Sequence, residues 1–87
     1  MKAQALVARN IRRLRVRLGL SQENLATDAG IERSYVSRLE RGLENPTVRV
    51  LEKLARATKA DIIEFFSQPK AGELPPKPLR GGRKPKR

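Results

Sequence analysis

The sequence predicts an all-α protein, a bundle of five short helices over residues 1–69, followed by a disordered basic tail at 70–87. Three observations lead there. The apolar side chains of the first segment recur every three or four residues, the spacing that lines one face of a helix, rather than every second residue as in a half-buried strand. Glycine or proline stands where that periodicity lapses, at Gly19, Gly30, Gly42 and Pro46. Near residue 68 the composition shifts. Residues 1–69 carry thirteen basic and eight acidic side chains, net +5, whereas the last 18 residues, KAGELPPKPLRGGRKPKR, carry seven basic and one acidic, net +6. Five of the six prolines lie in this tail or at its edge, and Leu74 and Leu79 are its large apolar groups, too few to offset the entropy of ordering it.

In the first helix Val7, Ile11, Leu14 and Leu18 form one stripe, with Arg9, Arg12, Arg13 and Arg17 on other faces, and Gly19 ends it. Ser21 is placed to cap the second helix with its hydroxyl; Leu25, Ala26 and Ala29 supply the inner face, and Gly30 stops it. A glutamate three residues after the cap would complete a capping box, but Asn24 holds that position. The third helix covers about residues 32–41, with Val36 and Leu39 facing the core. Pro46 and Thr47 open the fourth, which runs to about Thr58 with Val48, Leu51, Leu54 and Ala55 inward. Asp61 caps a short fifth, whose Ile62, Phe65 and Phe66 can close the bottom of the core. Four large apolar residues, Ile62, Ile63, Phe65 and Phe66, cannot all face inward from one short helix. Ile63 and Phe66 are therefore expected at the surface of a monomer, as the interface of a homodimer.

Composition narrows the chemistry. The chain has 87 residues and a net charge of +11, which allows one small domain and favours a polyanionic partner. It contains neither cysteine nor histidine, so disulfides, thiolate or imidazole catalysis and a Cys/His zinc site are excluded, and no metal or cofactor is expected. No spacing forces two carboxylates together and no nucleophile has an evident base, so an enzyme is not expected. The apolar runs are short and the start, MKAQALVARN, lacks a signal-peptide apolar region, which predicts a soluble cytoplasmic protein without a membrane partner.

The third helix carries the functional signal. At about 100° per residue, burying Val36 and Leu39 turns Ser34 and Arg41 away from the core, with Ser37 and Arg38 to either side and Arg33 and Tyr35 flanking the buried stripe. Gly30 supplies a tight turn before this helix, Ile31 plugs the junction, and Ala26 is small where two steeply crossing helices leave least room. A helix entering the DNA major groove by its N-terminal turn needs such an arrangement of donors and acceptors; a merely solvated helix does not. Tyr35 reads as a packing residue, since one tyrosine and two phenylalanines do not make a base-stacking platform for single strands.

The stretch IRRLRVRLGLSQENLATDAGIERSYVSRLERGLENPTVRVLEKLARAT resembles the Cro/C1-type helix-turn-helix family, also called XRE, over about residues 7–66. Several independent features coincide: GLSQ entering the second helix, LA within it, the turn glycine, SRLERG closing the third helix, and Pro46 opening the fourth. The resemblance implies a five-helix, lambda-repressor-like domain that binds double-stranded operator DNA, commonly as a two-fold dimer, to regulate transcription, here more as a repressor. It implies that Glu32, Arg33, Ser34, Ser37 and Arg38 read bases, with a G·C-containing half-site suggested by arginine and glutamate. Gln22 is implied to contact the DNA backbone and brace the recognition helix, with further backbone contacts from Arg12, Arg41 and the amides near Leu43, Glu44 and Asn45. Arg15 and Glu40 match a family pair that bridges the first and third helices. The chain departs from the family at Lys59, where glycine is common, and at Ala57 and Thr58, which are smaller or more polar than the usual aliphatics and are expected to loosen that corner.

In the tail, Arg80, Arg83, Lys84, Lys86 and Arg87 are spaced by glycine and proline so as to contact phosphates. The segment loosely resembles an AT-hook but lacks its Arg-Gly-Arg-Pro core. The alternative reading is an antitoxin or partner-binding module that autoregulates its operon, with a second protein as partner.

Overall fold

The structure, a computed structural model, describes residues 2–69. Among them lie four α-helices and one 3-10 helix, without strands: α1 (Ala3–Arg17), α2 (Gln22–Ala29), α3 (Arg33–Glu40), α4 (Val48–Thr58) and the 3-10 helix Ile62–Phe66. The basic residues Arg80, Arg83, Lys84, Lys86 and Arg87 lie outside the described residues, as does the rest of the expected tail.

The expected fifth helix is thus corrected to a 3-10 helix. Its bonds run over three residues, Glu64 N–H to Asp61 O at 2.9 Å and Ser67 N–H to Glu64 O at 3.3 Å. Five residues between a cap and an extended Ser67 are too few to repay the nucleation of an α-helix, and the tighter winding reaches its partners sooner. Asp61 does cap it, its carboxylate accepting from the Ile63 amide at 3.1 Å.

Helices α2 and α4 begin and end for local reasons. Ser21 caps α2 by accepting the Asn24 amide at 2.9 Å, and Thr47 caps α4 by accepting the Val50 amide at 3.1 Å. Helix α2 ends on Gly30 at φ +73°, and α4 on Lys59 at φ +56°, the one non-glycine residue with positive φ among those described. An L side chain in that left-handed region crowds its own carbonyl.

The core joins all the elements: Val7, Ile11 and Leu14 from α1, Leu25 and Ala29 from α2, Val36 and Leu39 from α3, Leu51 and Leu54 from α4, and Phe65 from the 3-10 helix. Two positions differ from the periodicity. Leu18 is exposed, because it is the C-cap of α1 and lies one turn beyond the packed surface. Val48 is 69% exposed, whereas Val50 packs on the core. The two valines sit at opposite edges of the α4 stripe, and Val50's edge faces the groove that Ile31 and Tyr35 also line. Ile63 and Phe66 are exposed as expected, while Phe65 is fully buried.

Among the described residues every buried side-chain nitrogen and oxygen has a hydrogen-bond partner. Asn10, wholly buried on α1, donates through Nδ2 to the carbonyls of Phe65 at 2.9 Å and Ser67 at 2.8 Å, and its Oδ1 accepts from Arg13 Nε at 3.1 Å. Asn10 thus fastens the 3-10 helix to α1, helped by Arg13 Nη2 donating to Glu64 O at 3.5 Å. Thr58 is buried with its hydroxyl donating to Leu54 O at 2.8 Å, so the corner suspected of looseness is filled and bonded.

Relief of the strain at Lys59 is measurable. Lys59→Gly removes about 1–2 kcal/mol of left-handed strain and adds about 0.5–1 kcal/mol of unfolded-state entropy. A net stabilisation of about 0.5–1 kcal/mol is expected in denaturant melts.

Candidate nucleic-acid interface

Helices α2 and α3 are joined by a turn whose shape depends on one backbone conformation. Gly30 adopts φ +73° and ψ +34°, and the Ile31 amide then donates back to Ala26 O at 2.9 Å. A Cβ placed on Gly30 would meet nothing within 4 Å, so glycine is required here by the backbone angle rather than by space. Ile31 packs against the core beside Tyr35, and α3 leaves the turn with Val36 and Leu39 buried.

The roll of α3 is set by Glu40. Its carboxylate is buried and receives Arg15 in a two-pronged contact, Nε to Oε2 at 2.6 Å and Nη2 to Oε1 at 2.9 Å. Gln22 Nε2 donates to the same Oε1 at 3.1 Å, and Arg12 Nε approaches it at 3.4 Å. Arg15 also donates through Nη1 to Leu20 O at 2.8 Å, tying the α1–α2 connection into the cluster. The first three helices therefore meet on one carboxylate.

With the inner side fixed, the outer side is left to solvent. Glu32, Arg33 and Ser34, at the start of α3, are exposed; Ser37 is half-buried; Arg38 is exposed and pairs with Glu44 at 2.7 Å. Glu32 is the N-cap residue, but its side chain makes no capping bond. Arg41, Leu43 and Asn45 are exposed at the end of α3 and in the following loop. The Leu43 amide donates to Arg38 O at 2.9 Å, so that amide is already engaged. Gln22 and Arg12 are brought together by Glu40, which makes bracing of α3 their visible role. Ile63 and Phe66 lie apart from this face on the 3-10 helix.

Three participants were not foreseen from the sequence as side-chain contacts. Gln4 Nε2 donates to Glu44 O at 2.9 Å, pinning the α3–α4 loop to α1; the Glu44 carboxylate holds Arg38; and Asn10 anchors the 3-10 helix. Their partners lie 40, 6 and 55 residues away, separations at which helical periodicity carries no signal.

Tyr35 reports on this face. Burial raises its pKa above the ordinary phenol value, the Glu44 carboxylate raises it further, and Arg38 opposes the shift. The chain has one tyrosine and no tryptophan, so phenolate absorbance in the near ultraviolet reads this group alone. Its midpoint is expected above about 10. Neutralising Glu44 by Glu44→Gln should lower that midpoint, and Arg38→Ala should raise it.

Two short helices set by a left-handed glycine turn, the second locked on its inner side and bare on its outer side, make a helix-turn-helix. The family described as "Helix-turn-helix" (HTH_3) matches over residues 11–65, and the chain belongs to it, as a DNA-binding transcriptional regulator of the Cro/C1 (XRE) type. A relative from Sinorhizobium fredii, the uncharacterized HTH-type transcriptional regulator y4dJ, is 42% identical over 67 residues, covering 77% of this chain and 87% of the relative. The HTH-type transcriptional regulator SlrR of Bacillus subtilis is 37% identical over 62 residues, 70% of this chain and 41% of SlrR. Among solved structures, the restriction-modification controller protein C.AhdI from Aeromonas hydrophila superposes with a TM-score of 0.71 at 40% identity, covering 72% of this chain and 96% of that one. The relatives named here are regulators rather than enzymes. Among the described residues no helix is long and apolar enough to cross a membrane, and no group of three or more acidic side chains is placed to hold a metal ion.

Proposed function

We propose that this chain is a repressor that binds a palindromic operator as a homodimer in the cytoplasm, with α3 in the major groove. The observation that carries this is the division of α3 into a side locked by the buried Glu40 cluster and an outer side where Arg33, Ser34 and Arg38 are exposed. Base reading needs side chains held to within a fraction of an ångström by a rigid support, and the cluster supplies one. Glu32, Arg33, Ser34, Ser37 and Arg38 are assigned the base edges. Arg41 and Asn45 are assigned the phosphate backbone, joined by Gln22 and Arg12, whereas Leu43, with its amide donated to Arg38 O and an apolar side chain, has no donor left for it. The likeness to restriction-modification controller proteins supports a regulatory role.

Exposed Ile63 and Phe66 support the dimer, since two adjacent large apolar groups in water favour burial against a second copy. A two-fold pair would set two α3 helices about one DNA turn, ~34 Å, apart. Selection of bound duplexes from a random pool tests both points. A palindrome with half-sites about one turn apart is expected, and Ile63→Asp should leave each half-site recognised while abolishing cooperative binding to the pair. Recovery of an asymmetric site, with a sedimentation profile that Ile63→Asp does not alter, would sink the dimer.

Residues 1–69 serve in this reading as the docking domain and 70–87 as a basic extension. Arg80, Arg83, Lys84, Lys86 and Arg87 add sequence-independent attraction to phosphates. Removing 70–87 should reduce the slope of log affinity against log salt while the selected sequence stays the same. A different selected sequence would assign the extension a reading role instead.

A further inference from the structure

Among the described residues, Arg38 and Glu44 form a polar contact on the outer side of α3 that neither the core nor the Glu40 cluster requires. Arg38 Nε donates to Glu44 Oε2 at 2.7 Å, with the two side chains 45% and 25% exposed. Such a surface pair adds little stability, because water screens both charges and both side chains lose freedom. Its geometry is nevertheless well supported. The Glu44 carbonyl is held by Gln4 Nε2 at 2.9 Å, and the preceding amide, on Leu43, donates to the carbonyl of Arg38 itself at 2.9 Å. The loop is thus folded back onto the end of the helix that carries Arg38. On the other side Arg38 borders a groove that Ile31, Glu32, Tyr35 and Val50 also line.

The atom used is informative. A guanidinium carries five N–H donors in one plane, so a bond to Nε directs the plane and leaves the terminal nitrogens to point away. Those terminal nitrogens make no other hydrogen bond among the described residues. Their end-on edge matches two adjacent acceptors, as on O6 and N7 of guanine.

We propose that Glu44 is a positioning residue for sequence recognition, holding Arg38 by Nε so that its terminal nitrogens present a fixed fork to a guanine edge. The proposal rests on the base-reading role assigned to Arg38 above. A carboxylate at this place also repels phosphates, which weakens binding to every sequence alike. Glu44 therefore lowers affinity and raises discrimination, and the two effects separate experimentally.

The probe is a duplex recovered from the random pool by the full-length protein, with a panel carrying each single base-pair substitution. Arg38→Ala marks the base pair that Arg38 reads, as the position where preference collapses. At that position Glu44→Ala should cut the preference about 5–10-fold while tightening binding to the whole panel. Glu44→Gln loses the charge but keeps an oxygen for Nε, so it should tighten binding equally and retain most of the preference. The double variant Arg38→Ala, Glu44→Ala should be no less selective than Arg38→Ala alone. Uniform tightening by both Glu44 variants with the preference intact overturns the proposal and leaves Glu44 as a repulsive charge only. A loss of preference in Glu44→Ala accompanied by a lowered melting temperature, and not recovered in Glu44→Gln, assigns the effect to loop folding and also overturns it. If Arg38→Ala changes preference nowhere, the base-reading role of Arg38 itself fails, a result distinct from either.

Discussion

The carboxylate of Glu40 is the point on which the orientation of α3 depends. It lies in the interior, where an unpaired charge would cost several kcal/mol, and it is matched by Arg15 through two short parallel bonds and by Gln22 through a third. A hydrophobic contact in this place would hold α3 against α1 but would let it roll, since dispersion is non-directional. A planar guanidinium on a planar carboxylate admits one relative orientation. The cluster therefore specifies geometry more than it adds stability, and geometry is what a helix presented to a groove requires.

The remaining contacts extend that constraint outward. Gly30 sets the angle at which α3 leaves α2, and Val36 and Leu39 fix its depth. Gln4 holds the α3–α4 loop against α1, so the loop that follows α3 is positioned from outside the helix-turn-helix itself. At the opposite end Asn10 fastens the 3-10 helix through two backbone carbonyls. Phe65 is thereby sealed into the core, and Ile63 and Phe66 remain on the surface. A 3-10 winding is what allows this partition: five residues in a tighter turn bury one phenylalanine fully and leave its neighbours outward.

Charge is distributed with the same division. Basic side chains outnumber acidic ones across residues 1–69, yet the acidic Glu40 and Glu44 each meet an arginine of the helix-turn-helix region or of α1. One such pairing is buried and holds the scaffold; the other is exposed and lies on the outer side. Identical residue types thus do different work according to the dielectric around them.

Much of this was legible in the sequence. Helix-spaced apolar residues located four α-helices, Ser21 and Thr47 marked the starts of two of them, Asp61 marked the start of the segment that winds as a 3-10 helix, and Gly30 marked the turn. Resemblance to the Cro/C1 family supplied the pairing of Arg15 with Glu40, which periodicity allowed but could not demand. These features are local, or are written into side-chain spacing along one helix, and spacing along a helix is what a sequence records directly. Tertiary structure alone decided the rest. The winding of Ile62–Phe66, the choice of Val50 over Val48 for the core, and the bonds from Gln4, Asn10 and Glu44 all depend on which surface a distant segment brings alongside. Edge positions of an amphipathic helix are buried or bare according to their neighbour across the gap, and a neighbour 40 or 55 residues away leaves no trace in the local pattern.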